Sequence, residues 1–117
     1  MATIPLEDNF TDILGKTQRG LQLADGTLAA RAGVTESEMA RVKSGAVDTA
    51  VLRKLAAALN LGPDSLVASA QKSWYPDPIH LNGLAQFNTI YEDMTVNAYL
   101  VWDPASRLAA VDRKSVV

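Results

Sequence analysis

A chain of 117 residues with 48% hydrophobic and 21% charged side chains has the size and composition of one globular domain, or of one small domain plus a fragment. A net charge of −2 removes the simplest electrostatic case for a nucleic-acid partner. The lack of cysteine excludes disulfides and thiolate metal sites, so a reducing, cytoplasmic setting is expected. His80 is the one histidine, too few for an imidazole zinc site, and no cofactor is expected. No apolar run approaches the ~20 residues of a membrane helix, so no membrane partner is expected. The opening Met1-Ala2-Thr3-Ile4-Pro5 lacks the basic-then-apolar order of a secretory signal.

In chain order, the first helix is expected to start near Asp8 or Asn9, either of which can cap it. Phe10, Ile13, Leu14, Thr17 and Leu21 then fall on one helical stripe. A second helix is predicted over Gly26–Ala32, capped by Asp25, with Leu28, Ala29 and Ala32 inward and Gly33 ending it. The third starts after Thr35, because Thr35 and Glu38 have the spacing of a capping box. Met39 and Val42 lie on its inner face, and Gly45 stops it. The fourth is expected over Thr49–Leu59, with Val51, Leu52, Leu55, Ala58 and Leu59 as a wide apolar face. Asn60 and Gly62 end it. Pro63 suits the first turn of a fifth helix, Pro63–Ala70, whose Leu66 and Val67 close the core.

Residues 71–82 read as a linker, because Pro76 and Pro78 do not fit a helix interior. Trp74 and Tyr75 are assigned to covering apolar surface rather than to stacking on a base. From residue 83 the pattern is β. Thr95–Trp102 is rich in β-formers, and its more apolar face, Val96, Ala98, Leu100 and Trp102, is expected to be buried. Asp103-Pro104-Ala105-Ser106 is a turn signal and Leu108–Val111 a second apolar run, which predicts a hairpin. An earlier strand is possible at Ala85–Tyr91. Glu92-Asp93 is read as a solvated turn, and Arg113-Lys114 as a solvated basic pair. The expected architecture is mainly α: a five-helix domain over residues 1–70, a linker over 71–82 and a β-hairpin tail over 83–117.

The run Leu28-Ala29-Ala30-Arg31-Ala32-Gly33-Val34-Thr35 resembles the core of Xre/Cro-type helix-turn-helix proteins. Met39, Val42, Gly45 and the segment Leu55–Leu61 extend that resemblance, which spans residues 8–70. It implies a DNA-binding transcriptional regulator, or the DNA-binding part of one. Such proteins usually bind as dimers, each inserting its recognition helix into the major groove of double-stranded DNA. By the same resemblance the DNA-facing residues are Thr27, Thr35, Glu36, Ser37, Glu38, Ala40, Arg41, Lys43 and Ser44. Arg41 is the best candidate for a guanine contact, because a guanidinium can bond O6 and N7 together.

Four positions depart from the family pattern. Asp25 stands where Gln is common, and Asn60 where a helix-ending glycine is usual. Glu36 and Glu38 put two carboxylates where phosphates and base edges would lie, and capping is the alternative role for both. Residues 1–70 hold seven basic and eight acidic side chains, so no basic excess compensates.

The later stretch Gly83–Thr89 with Asp93–Asp103 resembles the opening strands of metallo-β-lactamase-fold hydrolases. Asn97-Ala98-Tyr99-Leu100-Val101 is the main point of likeness. Asp112 matches the first Asp of the segment that follows in that family, but the metal motif is missing. The resemblance implies a truncated or degenerate relative. It motivates an alternative function, a regulatory or protein-interaction module that does not bind DNA. His80 has no catalytic partner in sequence, no phosphate-cradling glycine spacing is present, and an enzyme is not expected.

Overall fold

A computed structural model describes residues 4–112. The basic pair Arg113-Lys114 lies outside the described residues. The chain divides into two compact units, Asp8–Trp74 and a second in which residues 4–7 join residues 75–112.

The first unit is built from α1 (Phe10–Gly20), α2 (Asp25–Ala32), α3 (Glu36–Lys43), α4 (Thr49–Ala58) and α5 (Pro63–Ala70). The start signals are local. Asn9 caps α1 in a reciprocal box with Asp12, each backbone N–H donating to the other's side chain at 3.0 Å. Asp48 caps α4 by accepting from the Val51 N–H, and Pro63 opens α5. The stop signals are local too. Gly33 sits at φ 70° after α2 and Asn60 at φ 57° after α4, the left-handed conformation that glycine and asparagine tolerate best.

α4 forms the centre of the core. Leu52 and Ala56 have no exposed surface and Leu55 has 1%. Around them pack Phe10 and Leu14 from α1, Leu28 and Ala29 from α2, Met39 and Val42 from α3, and Leu66, Val67 and Ala70 from α5. Burying each of the larger side chains contributes roughly 1.5–3 kcal/mol before entropy is counted.

Two local expectations are corrected. Leu21 does not continue the α1 stripe: the helix ends at Gly20 and Leu21 is 51% exposed. The inward position in that last turn belongs to Gln18, which is buried. Asp25 is not the cap of α2 but its first helical residue. Ala24 occupies the cap and has no side-chain oxygen to offer, while the Asp25 carboxylate bonds Gln18 and Lys43 instead.

The second unit is a three-stranded antiparallel sheet in the order β1 (Leu84–Tyr91), β2 (Met94–Trp102), β3 (Ala109–Asp112). "Mainly α" therefore holds for the first unit alone, and the expected hairpin is the second half of a meander. β1 and β2 pair over their whole common length, from Leu84↔Val101 to Tyr91↔Met94, around the two-residue turn Glu92-Asp93. The Asp103 carboxylate organises the second turn by accepting from the Ala105 and Ser106 N–H groups at 3.1 and 3.2 Å. Gly83, at φ 96°, lies so close to the Trp102 carbonyl that an added Cβ would sit 2.6 Å from its oxygen. Residues 4–7 run beside β2, where Asn97 donates its backbone N–H to the Glu7 carboxylate and its amide to the Pro5 carbonyl.

The face carrying Val96, Ala98, Leu100 and Trp102 was expected to be buried, and it is only half-buried. Pairing places Phe87, Tyr91, Met94 and Val111 on the same face, all of them exposed. A sheet face closes only against a second layer. None of the described side chains of β1–β3 reaches full burial.

Candidate nucleic-acid interface

α2, the Gly33-Val34-Thr35 turn and α3 form a helix-turn-helix, with the inner face of α3 anchored by Met39 (2% exposed) and Val42 (1%). Those two anchors fix which α3 side chains face outward. Ser37, Ala40, Arg41 and Ser44 make one exposed stripe at i, i+3, i+4 and i+7 spacing. Arg41 makes no ion pair among the described residues. The Ser44 hydroxyl donates to the Ala40 carbonyl at 2.8 Å, so its hydrogen is committed while its lone pairs stay free.

The two carboxylates of α3 are placed to either side of that stripe. Glu38 completes the capping box: its carboxylate accepts from the Thr35 N–H at 2.9 Å, and its own N–H donates to the Thr35 hydroxyl at 3.0 Å. Thr35 and Glu38 are therefore bound to each other, although both are on the expected DNA-facing list. Glu36 turns toward α2, with Oε1 2.8 Å from where a Cβ on Gly26 would stand. Thr27 is exposed in the first turn of α2.

Lys43 points the same way as Glu36, seven residues later. Its Nζ lies 2.9 Å from Asp25 Oδ1. The same carboxylate oxygen accepts from the Gln18 amide, which also donates to the Leu23 carbonyl at 3.0 Å. The hydrogen bond from Lys43 and then that from Gln18 hold the Asp25 carboxyl below its ordinary value of 3.8. α1, α2 and α3 thus meet in one polar chain, Gln18–Asp25–Lys43. Gln18 is the residue of this candidate interface that the sequence did not single out. It sits on the buried side of α1 where a hydrophobic residue is the usual occupant, and that mismatch was the available signal.

In the sheet unit His80 is exposed, and it lines an open cavity with Pro78, Leu84 and Gln86 that holds no second titratable group. Trp74 is 59% exposed, so it does not bury apolar surface to the extent expected. Among the described residues no cluster of three His, Asp or Glu side chains is arranged to hold a metal. None of the described helices is long and apolar enough to cross a membrane.

No protein-family model matches the chain, and neither does any curated protein. Among solved structures, the chain is similar to the crystal structure of an HTH_3 family transcriptional regulator from Vibrio cholerae. The match has 16% identity and a TM-score of 0.45 over 80% of this chain and 57% of that one. It is also similar to native PhpD with cadmium atoms, at 20% identity and a TM-score of 0.38, over 95% of this chain and 25% of that one. The chain thus spans less than two thirds of either, and at these scores the helix-turn-helix assignment stands on the α2–α3 geometry itself.

Proposed function

We infer that residues 8–74 form a DNA-binding helix-turn-helix domain of the Xre/Cro type, acting in transcription regulation as a regulator or as the DNA-binding part of one. The observation that carries the reading is the outer stripe of α3. Its one charged side chain, Arg41, is exposed and has no ion-pair partner among the described residues, while the Glu38 carboxylate is tied into the helix cap. An arginine so placed can bond guanine O6 and N7 in a major groove, with Ser37 and Ser44 as hydroxyl contacts beside it. Binding as a homodimer, one recognition helix per half-site, belongs to the same reading, as does a cytoplasmic location. A binding role, not catalysis, is assigned to the chain.

The test is selection of bound fragments from mixed genomic DNA, followed by a salt titration. Tight binding to a few fragments that weakens steeply with salt supports the reading. Loss of that selectivity in Arg41→Ala assigns the stripe as the reading surface. Absence of binding at low salt overturns the reading.

A second reading has its own observation. The sheet unit exposes Phe87 (54%), Tyr91 (44%), Met94 (39%) and Val111 (67%) on one face, an apolar grouping of the kind that marks an interaction surface. That favours a protein-interaction role for residues 75–112. The outer stripe of α3 is polar rather than apolar, which argues against extending the interaction role to the recognition helix.

A further inference from the structure

We propose that Asp25 is a specificity-determining residue that withholds Lys43 from the DNA backbone; this rests on the DNA-binding reading above. Lys43 stands at the end of α3, where its ammonium is the basic group of that helix besides Arg41. In an interface it would neutralise a phosphate. Here it is neutralised already, at 2.9 Å, by a carboxylate in the first turn of α2. That carboxylate is not a chance neighbour: the buried Gln18 amide donates to the same oxygen and fixes it in place. Glu36 lies over Gly26, the next residue of α2, and adds a second negative charge at that helix start.

The consequence concerns the balance of two kinds of binding. Phosphate contacts supply affinity for any sequence, and base contacts supply discrimination. A domain whose backbone-facing lysine is held by its own aspartate gives up the first and keeps the second through Arg41. Asp25 thereby lowers the affinity for DNA at large without touching the stripe that reads bases.

The experiment measures binding to mixed-sequence duplex DNA across a salt series for the full chain and for Asp25→Asn, Lys43→Gln, the double variant and Asp64→Asn. Asp64→Asn is the control, since it makes the same charge change and releases Arg53 of α4 from its own ion pair with α5. Asp25→Asn is expected to bind more tightly, with a salt dependence steeper by about 0.9, one additional neutralised phosphate. Its advantage over the native chain then shrinks about three-fold between 50 and 200 mM salt. Lys43→Gln is expected to leave the native salt dependence unchanged and to cancel the gain in the double variant.

An unaltered slope in Asp25→Asn, or an equal gain in Asp64→Asn, overturns the proposal. So does a Lys43→Gln change that flattens the native slope as much as it flattens that of Asp25→Asn. Should Asp25→Asn not fold, Lys43→Gln in the native background decides alone: an unchanged slope supports the proposal and a loss of about 0.9 overturns it. Selective binding that depends on Arg41 while Asp25→Asn has no effect defeats this proposal and leaves the regulator reading intact. No binding by any of these proteins at low salt defeats both.

Discussion

The Thr35 hydroxyl and the Glu38 carboxylate each accept a hydrogen bond from the other's backbone N–H, at 3.0 and 2.9 Å. This reciprocal cap satisfies two of the four N–H groups that the start of α3 leaves without a partner. Thr35→Ala removes half of it and is expected to cost about 1 kcal/mol. In a domain of this size that lowers Tm by roughly 4–8 °C, which thermal unfolding followed by circular dichroism measures directly. Glu38→Gln keeps both bonds and is expected to leave Tm and DNA selectivity close to native. A change of selectivity in Glu38→Gln would show that this carboxylate reads bases after all.

Leu52 has no exposed surface and lies on α4 in the core cluster to which all five helices contribute. Leu52→Ala is expected to cost about 2–5 kcal/mol, the transfer term plus a cavity that rigid helices fill only in part. Urea titration should show the midpoint falling sharply, to the point of unfolding the helical unit if its stability is at the low end for natural domains.

Gln18 offers a different kind of core test. Its amide donates to the Leu23 carbonyl and to Asp25, so Gln18→Leu adds apolar volume yet leaves the part-buried Leu23 carbonyl without its donor and removes one of the two donors that hold Asp25. An unmet buried acceptor costs about 1–3 kcal/mol, which outweighs what the leucine gains. Gln18→Leu is therefore expected to melt below the native protein, and a higher Tm would show that the polar chain is dispensable for folding.

The Asp25–Lys43 pair sets a pH dependence. The folded-state carboxyl titrates below its ordinary value of 3.8, so its contribution to stability is full above that pH and is lost as pH falls through the lowered value. The side chains are 60% and 35% exposed, so the contribution is no more than about 1 kcal/mol. Asp25→Asn should therefore melt slightly below the native protein at pH 7. The two should converge once pH drops below the folded carboxyl's range. A gap that persists in acid would assign the effect to something other than charge.

In the sheet unit, Gly83→Ala drives a Cβ to 2.6 Å from the Trp102 carbonyl oxygen and forces a side chain into φ 96°. Both effects act on backbone, which has nowhere to yield, so the cost is expected to exceed about 1 kcal/mol. Amide hydrogen exchange should report it as lost protection at the Trp102 N–H, which donates to the Gly83 carbonyl at 2.9 Å.

The helical unit was legible because its signals are local. Thr35 with Glu38, Gly33 and Pro63 mark ends by chemistry that acts within one turn, and the 3.6-residue period of Val51, Leu52 and Leu55 marks a face. What escaped was set by residues distant in sequence. Asp25 has the chemistry of a cap, but Gln18 and Lys43 claim its carboxylate from seven residues before and eighteen after, and no local pattern records that competition. Alternation along β2 showed which side chains share a face but not whether anything covers it, because alternation fixes relative orientation alone. In the candidate interface, the family resemblance placed Arg41 and Ser37 outward. The commitments of Glu38 and Lys43 to partners within the domain emerged only with the side chains in place.

The sheet unit is discontinuous in sequence: Glu7 and Asn97 are hydrogen-bonded at 2.6 Å, with the whole helical unit threaded between residues 7 and 75. While the helices are folded, the connection that this contact must close is a compact body. If they unfold, it becomes a long flexible loop, and the entropic penalty for bringing its ends together rises. A defect such as Leu52→Ala is thereby felt at the edge of β2 through chain statistics alone, with no pathway of packed side chains needed to carry it. Loosening of the Asn97 amide would follow the melting of α1–α5.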